Sequence, residues 1–399
     1  MPIAFKQKFF IYLFILTLIL ISQGCSNSVN EKDKPFNTSN KIERNLVIVT
    51  IDGLRWQEVF NGADIKLIEH PPATQDSKKT KARFWHTDTQ TRKEILMPFV
   101  TNIIAEQGAI IGDRNKGSYM DVTNEQLFSY PGYNEIFTGV ADTNIRSNSK
   151  VDNKNVTFLE WINNQPEFAG KVAIFSGWDV FPKIYNRNRS GLIINAGFES
   201  FHPKETNSEI EWLNKLQNEI PSPWHNVRHD AFTYGFAKEY LKLAKPRILV
   251  INLGETDDFA HNGKYDSYLD SAQQTDAFLA DLWDNLQSIE QYKNNTNMLI
   301  ITDHGRGSNT DDWKHHASII AIQNYMQSLN EFSNGIAGAE HIWFAAIGPD
   351  IQKVGILQNK TPFKQNQFAA TALATLGFKV NQYSPKAGKP LQGIIKHEH

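Results

Sequence analysis

Carboxylates, imidazoles and one serine hydroxyl recur in short motifs of this 399-residue chain, and together they could bind metal ions. The motifs are VTIDGLRW, FSYPGYNE, ETDDFAH and ITDHGRG, and WKHHA is a fifth candidate. Mixed nitrogen and oxygen donors are typical of Zn²⁺ or Mn²⁺ sites, whereas all-oxygen sets suit Mg²⁺ or Ca²⁺. Two such ions about 4 Å apart can hold the attacking and leaving oxygens of a phosphoryl displacement. The predicted ligands are Asp52, Ser129, Asp257, His261, Asp303, His304 and His316.

Strands and helices that could position these residues follow from the hydrophobic pattern. The apolar runs of strand length are continuous rather than alternating, as in strands buried on both faces of a parallel sheet. These runs are Leu46–Ile51, Lys171–Phe175, Ile248–Leu253, Met298–Thr302 and His341–Ile347. Helical periodicity separates them, most clearly at Thr91–Gln107, Asp266–Tyr292 and Gln365–Leu376. The alternation predicts an α/β fold, a doubly wound, mostly parallel sheet sandwiched by helices.

The three aspartates of the predicted site share a position relative to these strands. Asp52, Asp257 and Asp303 each lie at or just past a strand end. Ligands of open α/β sheets bind outside the carboxyl ends of the strands, so we expect the three carboxylates to cluster there. Residues 62–93 and 182–228 fit the alternation poorly and are predicted to form cap-like insertions beside the site.

The first residues of the chain have the pattern of an export signal. Lys6 and Lys8 precede the apolar run Phe9–Ile21, which is too short to cross a bilayer. Cys25, the only cysteine, follows where a bacterial lipoprotein carries its lipid. We therefore expect a signal peptide at 1–24, a lipid anchor on Cys25, a flexible tether at 25–44 and a metallohydrolase domain at 45–399. Mass spectrometry showing an unmodified Cys25 would contradict the lipid anchor.

Composition narrows the class of partner. The formal net charge is −2, so no overall positive field favours nucleic acid. A single cysteine also rules out an intrachain disulfide, although we expect the protein to be exported to the periplasm or the cell surface. The expected partners are a small-molecule, lipid or sugar phosphate ester and, through the lipid anchor, a bacterial membrane.

Taken together, the four motifs resemble those of the alkaline phosphatase superfamily, closest to its type I phosphodiesterase / nucleotide pyrophosphatase branch. The resemblance implies an α/β sandwich, a metal-bound Ser or Thr nucleophile and a covalent phospho-enzyme, with Ser129 as that nucleophile. By the same resemblance Asp52, Ser129, Asp303 and His304 hold one ion. Asp257, His261 and His316 hold the other, although His315 and His341 compete with His316 for the last position.

Two positions depart from the patterns of the related families. Gly132 stands where the nucleotide pyrophosphatase branch has an Asn that contacts phosphate. We expect Asn134 to replace that contact, helped by backbone N–H groups of a Pro131–Gly132 turn. Tyr133 stands where sulfatases have an Arg, which counts against sulfate ester hydrolysis.

Arg306 and Lys314 flank the predicted metal ligands and are expected to bind phosphate oxygens or the leaving group. The sequence thus predicts a two-metal hydrolase of phosphate esters with a phosphoseryl intermediate, and it leaves monoesters and diesters equally open. The alternatives are a sulfatase-like hydrolase, a phosphomutase of the same superfamily, and a non-catalytic ligand-binding lipoprotein.

Overall fold

A computed structural model describes residues 44–396 of the chain. The predicted signal peptide, Cys25 and the predicted tether up to residue 43 lie outside the described residues. Among the helices between residues 44 and 396, none has both the length and the apolar character needed to cross a membrane.

Eleven strands form one large and one small sheet within the described residues. They are β1 (Asn45–Ile51), β2 (Gly108–Ile111), β3 (Met120–Asp121), β4 (Val172–Ser176), β5 (Ile193–Ala196), β6 (Ile248–Leu253), β7 (Thr296–Ile301), β8 (His341–Ile342), β9 (Phe344–Ile347), β10 (Gly355–Ile356) and β11 (Phe363–Lys364). The large sheet has the order β10-β2-β9-β7-β1-β6-β4-β5, and the small one β11-β3-β8.

Helices connect these strands. They are α1 (Trp56–Asn61), α2 (Ile65–Ile68), α3 (Ser77–Phe84), α4 (Thr89–Leu96), α5 (Ala105–Gln107), α6 (Ser129–Thr138), α7 (Phe158–Asn163), α8 (Phe181–Ile184), α9 (Arg187–Ser190), α10 (Ser208–Glu219), α11 (Asp230–Ala244), α12 (Glu255–His261), α13 (Tyr265–Ser288), α14 (Ile319–Asn324), α15 (Phe368–Thr375) and α16 (Val380–Tyr383). A π-helix spans Phe99–Ile104, and short 3₁₀ turns lie at Arg114–Lys116, Gln327–Leu329 and Gln365–Gln367.

The central strand β1 shows why both faces of the sheet must be covered. It pairs in parallel with β6 on one side and β7 on the other, and all seven of its residues are buried. Val47 and Val49 pack into one core with α11 and α13, whereas Leu46 and Ile48 pack into the other core with α6 and α15. Only β9 runs antiparallel to its neighbours β2 and β7 in this sheet. The predicted doubly wound, mostly parallel α/β fold is confirmed.

Three predicted elements differ from the observed ones. The apolar run His341–Ile347 is divided between β8 of the small sheet and β9 of the large sheet. The predicted helix Thr91–Gln107 is interrupted, because Pro98 cannot donate a backbone hydrogen bond and the chain continues as the π-helix. The carboxylate of Asp276 accepts the N–H groups of Phe99 and Val100 there. The segment 182–228, predicted as a cap-like insertion, contains the edge strand β5 of the large sheet and the twelve-residue helix α10.

Candidate active site

Three strands that lie side by side at the centre of the large sheet deliver the acidic residues of the site. Asp52 follows β1 directly, Asp257 lies in the first turn of α12 after β6, and Asp303 comes two residues after β7. Because these strands are parallel, their carboxyl ends share one edge, and the three carboxylates meet there as the sequence predicts. Ser129, the first residue of α6, joins them.

One group of donors surrounds His304. Its Nε2 atom lies 3.3 Å from Asp52 Oδ1 and 3.4 Å from Asp303 Oδ2. The Ser129 hydroxyl lies 3.5 Å from the same nitrogen. Asp52, Asp303 and His304 are close enough for a single ion to take one atom from each. All four side chains are buried.

A second group adjoins the first around Asp257. His261 lies four residues further along α12, so both side chains lie on one face of the helix, with His261 Nε2 at 3.2 Å from Asp257 Oδ2. His316 reaches the same place from another loop, its Nε2 being 3.0 Å from that of His261 and 3.7 Å from Asp257 Oδ1. His304 Nε2 is also 3.7 Å from Asp257 Oδ1. The two groups therefore form one continuous cluster.

Backbone carbonyls orient two of the imidazoles. His304 Nδ1 lies 2.9 Å from the carbonyl oxygen of Gly305, and His316 Nδ1 lies 3.0 Å from that of Leu127. A carbonyl can only accept, so each Nδ1 carries a proton, and in the neutral imidazole each Nε2 offers a lone pair to the cluster. This is the arrangement that a metal-binding histidine requires.

His315 and His341, the competitors of His316, lie elsewhere. The ring of His315 packs against Phe332, and its partial burial lowers the pKa of His315 to about 4. His341 begins β8, and its Nε2 pairs with Glu340 at 3.2 Å. Of the three candidates the structure brings only His316 to the cluster, among the described residues.

The electrostatics of the cluster call for added positive charge. Burial, together with the neighbouring Asp257, raises the pKa of Asp52, and burial, together with Asp52, raises that of Asp303 well above its usual value. Burial lowers the pKa of His304, but Asp303 and Asp52 outweigh it and bring that pKa to about 9. Asp52 Oδ1 and Asp303 Oδ2 are buried and have no hydrogen-bond partner among the described residues. Three buried carboxylates around one imidazole, with two of their oxygens lacking hydrogen bonds, are costly, so the donor set fits divalent cations.

Arg306 is placed differently from its predicted role as a phosphate ligand. It is almost completely buried, and its NH1 group donates to Asp257 Oδ1 at 2.5 Å. Its NH2 group donates to the backbone carbonyl of Lys314 at 2.9 Å. Burial alone would raise the pKa of Asp257, but His261 and Arg306 outweigh it and hold that pKa well below its usual value. Arg306 therefore positions Asp257. Lys314 was predicted for the same role as Arg306, and its ammonium has no polar partner within residues 44–396.

Asn134 does not take over the missing phosphate contact either. It is fully buried inside α6, where its Nδ2 donates to the Val140 carbonyl at 2.9 Å. Its Oδ1 accepts from the amides of Asn153 and Asn155, at 3.1 Å and 3.0 Å. These bonds fix the loop after α6, so the amide is used away from the predicted phosphate position.

The helix backbone also explains why Gly132 departs from the branch pattern. A Cβ atom at Gly132 would lie 2.6 Å from the carbonyl oxygen of Asp303, closer than real Cβ contacts allow. Pro131 and Gly132 lie inside α6 rather than in a turn, and the Gly132 N–H donates to the Phe128 carbonyl at 3.1 Å. Neither residue therefore supplies the backbone N–H groups that the sequence suggested for phosphate.

Tyr133 contacts the cluster, which the sequence analysis did not foresee. Its hydroxyl donates to Asp52 Oδ2 at 2.9 Å, so it holds one oxygen of a predicted ligand while the other faces His304. The available signal was helical spacing, because Tyr133 follows Ser129 by four residues and so lies on the same face of α6. An outer hydrogen bond of this kind orients a ligand and tunes its affinity.

We expect Tyr133→Phe to weaken Zn²⁺ binding by about 10- to 100-fold, because it removes that hydrogen bond and leaves the ring packing in place. Competition with a chromophoric chelator measures the affinity. Tyr185→Phe is the matched control, since Tyr185 is equally buried but its hydroxyl bonds to Asn252, away from the cluster. Equal affinities in Tyr133→Phe and the wild type would contradict the orienting role.

Comparison with models of protein families identifies one family that the chain matches. The sequence model of the type I phosphodiesterase / nucleotide pyrophosphatase family matches residues 113–367, more than half of the chain. No curated protein sequence matches significantly.

Solved structures share the fold at low sequence identity. The alkaline phosphatase PafA is similar with a TM-score of 0.56 at 12% identity, over 89% of this chain and 100% of that one. A phosphonate monoester hydrolase from Silicibacter pomeroyi gives 0.51 at 12% identity, over 88% of this chain and 76% of that one. A protein in the alkaline phosphatase superfamily from Vibrio parahaemolyticus gives 0.50 at 14%, over 87% and 69%. These likenesses show a shared fold, and the family match shows that the chain belongs to the type I phosphodiesterase / nucleotide pyrophosphatase family.

Proposed function

We propose that this protein is a two-metal hydrolase of phosphate esters in which Ser129 is the nucleophile. The observation that carries the proposal is the position of the Ser129 hydroxyl, which lies 3.5 Å from His304 Nε2 at the edge of a buried cluster of carboxylates and imidazoles. A serine beside this many metal-type donors is suited to nucleophilic attack on phosphorus.

The donor set suggests how two ions would be held. Asp52, Ser129, Asp303 and His304 would hold one ion. Asp257, His261 and His316 would hold the other, and the mixed nitrogen and oxygen donors favour zinc, with manganese second. When bound, the ions would lower the pKa of a coordinated hydroxyl and neutralise charge on the phosphoryl oxygens.

The chain's own residues position the reacting groups. Ser129 begins α6, so the positive end of the helix dipole lies where the phosphate charge would be. Its oxygen would form a bond to phosphorus as the bond to the leaving alcohol breaks, which yields phosphoserine and the alcohol. Water would then cleave the phosphoserine bond and release phosphate or a phosphate monoester. Tyr133 and Arg306 would keep Asp52 and Asp257 in place throughout.

Two observations support hydrolysis of phosphate esters rather than of sulfate esters. Two structural relatives with TM-scores above 0.5 are an alkaline phosphatase and a phosphonate monoester hydrolase. In addition, Tyr133 occupies the place of the arginine expected in a sulfatase, and its hydroxyl is engaged with Asp52.

Side-by-side turnover of an aryl phosphate monoester, a bis-aryl phosphate diester and an aryl sulfate tests the proposal. We expect the protein reconstituted with zinc or manganese to hydrolyse at least one phosphate ester, and we expect a chelator to abolish this activity and added metal to restore it. Turnover of the sulfate alone would establish the sulfatase alternative. Two bound ions with no turnover of any ester would favour a binding protein.

A further inference from the structure

The turn that precedes α6 contains a backbone conformation that leucine rarely adopts. Leu127 has a φ of 60°, in the left-handed region where the Cβ atom of an L-residue crowds the carbonyl oxygen that follows it. Ser129 comes two residues later, with Phe128 as the residue before the helix. A strained conformation persists only when its surroundings enforce it, and such residues cluster at functional sites.

The side chain of Asn124 enforces this conformation. Its Oδ1 accepts the backbone N–H groups of Gln126 and Leu127, at 3.1 Å and 3.0 Å. Its Nδ2 donates to Glu135 Oε2 at 3.0 Å, and its own backbone N–H donates to the same oxygen at 2.7 Å. Asn124 and Glu135 are both buried. Because Glu135 lies in α6, as Ser129 does, these bonds fix the turn to the nucleophile's helix.

The same turn is fixed on its other side to the segment that carries His316. The Leu127 carbonyl accepts from His316 Nδ1 at 3.0 Å. One residue earlier, the Gln126 carbonyl accepts the Ser318 N–H at 3.1 Å. The Ser318 hydroxyl donates to the carbonyl of Glu125 at 2.5 Å. Successive carbonyls of the turn therefore bind that segment.

The left-handed conformation of Leu127 decides where its carbonyl points. A change of φ from 60° to the usual negative range would rotate the carbonyl by roughly 120° about the N–Cα bond. With the Leu127 N–H held by Asn124, the carbonyl would then point away from His316. The hydrogen bond to Nδ1 in turn determines which nitrogen of that imidazole carries the proton.

We propose that Leu127 is a positioning residue, held in the left-handed conformation by Asn124 so that its carbonyl orients His316 and ties the nucleophile's helix to the second group of donors. The inference deepens the proposed function and rests on it, because this orientation matters to the reaction only if His316 binds a metal. Leu127 acts through the imidazole of His316 on one side and through the start of α6 on the other.

Two substitutions at position 127 separate backbone conformation from side-chain packing. Leu127→Gly and Leu127→Val both shorten the side chain, but glycine adopts a positive φ without steric penalty, whereas a β-branched residue fits there poorly. Competition with a chromophoric chelator measures the Kd for zinc of the full-length protein. We expect one of the two ions to bind about 10- to 100-fold more weakly to Leu127→Val than to Leu127→Gly, the usual cost of losing an outer partner of a metal-binding histidine.

Lys245 provides the matched control. It also has a left-handed backbone, with a φ of 48°, and it ends α11 rather than contacting the cluster. Lys245→Gly and Lys245→Val should therefore differ in their unfolding by urea but bind zinc with equal affinity. A difference in zinc binding at position 127 alone would then reflect the orientation of His316 rather than a general loss of stability.

A further comparison tests whether Asn124 acts through Leu127. Asn124→Ala removes the acceptor of the Leu127 N–H, and we expect it to weaken the binding of one zinc ion by about 10-fold in the wild-type background. In the Leu127→Gly background the effect should be much smaller, because glycine needs no partner to hold it at positive φ. A role of Asn124 that does not involve Leu127 predicts equal effects in the two backgrounds.

The tautomer of His316 gives a readout that does not depend on bound metal. Nitrogen NMR spectra of the chelated full-length protein, with isotope-labelled histidines, should show the proton on Nδ1 in the wild type and in Leu127→Gly. In Leu127→Val part of the population should carry it on Nε2, because the carbonyl no longer holds the proton on Nδ1. His316→Gln identifies the signal by its loss.

Each outcome bears on the role of Leu127. Equal zinc affinities in folded Leu127→Gly and Leu127→Val would overturn its role in metal binding, and equal tautomers would overturn its hold on His316. Either result leaves the proposed function standing. If Leu127→Val does not fold, the comparison of Asn124→Ala in the two backgrounds decides, and equal effects there overturn the proposal. A wild type that binds no zinc and hydrolyses no phosphate ester would overturn the proposed function and this inference with it.

Discussion

Ser129→Ala is expected to lower kcat for a phosphate ester by on the order of 10⁴-fold or more while the metal content stays near that of the wild type. The reason is that most of the expected metal ligands are carboxylates and imidazoles, whereas the attacking atom is the Ser129 hydroxyl. The carboxylates and imidazoles of both groups remain in the variant, and Ser129 adds only its hydroxyl, 3.5 Å from His304 Nε2. The substitution therefore removes the attacking atom without removing the residues expected to bind the ions.

Rapid acid quenching provides a second reading of the same substitution. The wild type should yield a phosphorylated peptide that contains Ser129, and the variant should yield none. Ser271→Ala is the control, because Ser271 is also buried but bonds only to the backbone of α13. Full activity in Ser129→Ala would remove the covalent mechanism, and a loss of metal equal to the loss of rate would show that Ser129 acts mainly as a ligand.

The sequence predicted the acidic half of the site because it depends on topology. Asp52, Asp257 and Asp303 follow buried strands, and parallel strands end at one edge whatever the loops do. Helical spacing likewise brought His261 beside Asp257. For these residues the fold class alone was enough to predict that they lie together.

The groups expected to contact substrate were harder to predict, because their contacts depend on loop paths. Asn134 was chosen for its closeness to Ser129 in sequence, yet its position inside α6 directs the amide to the following loop. Arg306 was expected to face phosphate, but a buried arginine beside an ionised aspartate pairs with it instead.

Close packing also explains what motif comparison alone could not. Gly132 looked like the loss of a phosphate ligand. In the structure it is the condition for α6 to lie against the backbone of Asp303, since any Cβ would meet that carbonyl at 2.6 Å. The close approach brings Ser129 next to His304, so the glycine helps to place the nucleophile.

Asp303→Asn is expected to be more stable than the wild type when both proteins are metal-free, and less stable than the wild type when both are supplied with zinc. Asp303 Oδ1 accepts the Gly53 N–H at 3.1 Å, a bond that asparagine can keep, while Oδ2 has no hydrogen-bond partner among the described residues. Burial and Asp52 raise the pKa of Asp303 well above its usual value. The folded state therefore binds this proton more tightly than the unfolded state, and Asp303 costs stability as the pH rises from about 4 through its folded pKa.

After chelation at pH 8, the variant should accordingly be more stable than the wild type, by about 1–3 kcal/mol, since it removes one of several clustered buried carboxylates. With zinc at about 1,000 times its Kd, each bound ion should stabilise the wild type by about 4 kcal/mol. The variant should gain less, because it is expected to lose one ion per chain. Urea unfolding with and without metal measures both differences.

Asp276→Asn is the matched control, since Asp276 is an equally buried carboxylate that caps the π-helix outside the cluster. It should bind zinc like the wild type. Two ions bound to Asp303→Asn with wild-type affinity would refute Asp303 as a ligand. A metal-free variant less stable than the wild type at pH 8 would instead show that the ionised Asp303 carboxylate does not destabilise the metal-free protein. The stability difference between variant and wild type changes sign only if the Asp303 carboxylate destabilises the metal-free protein and also binds metal. This single substitution therefore tests the electrostatic argument and the coordination argument together.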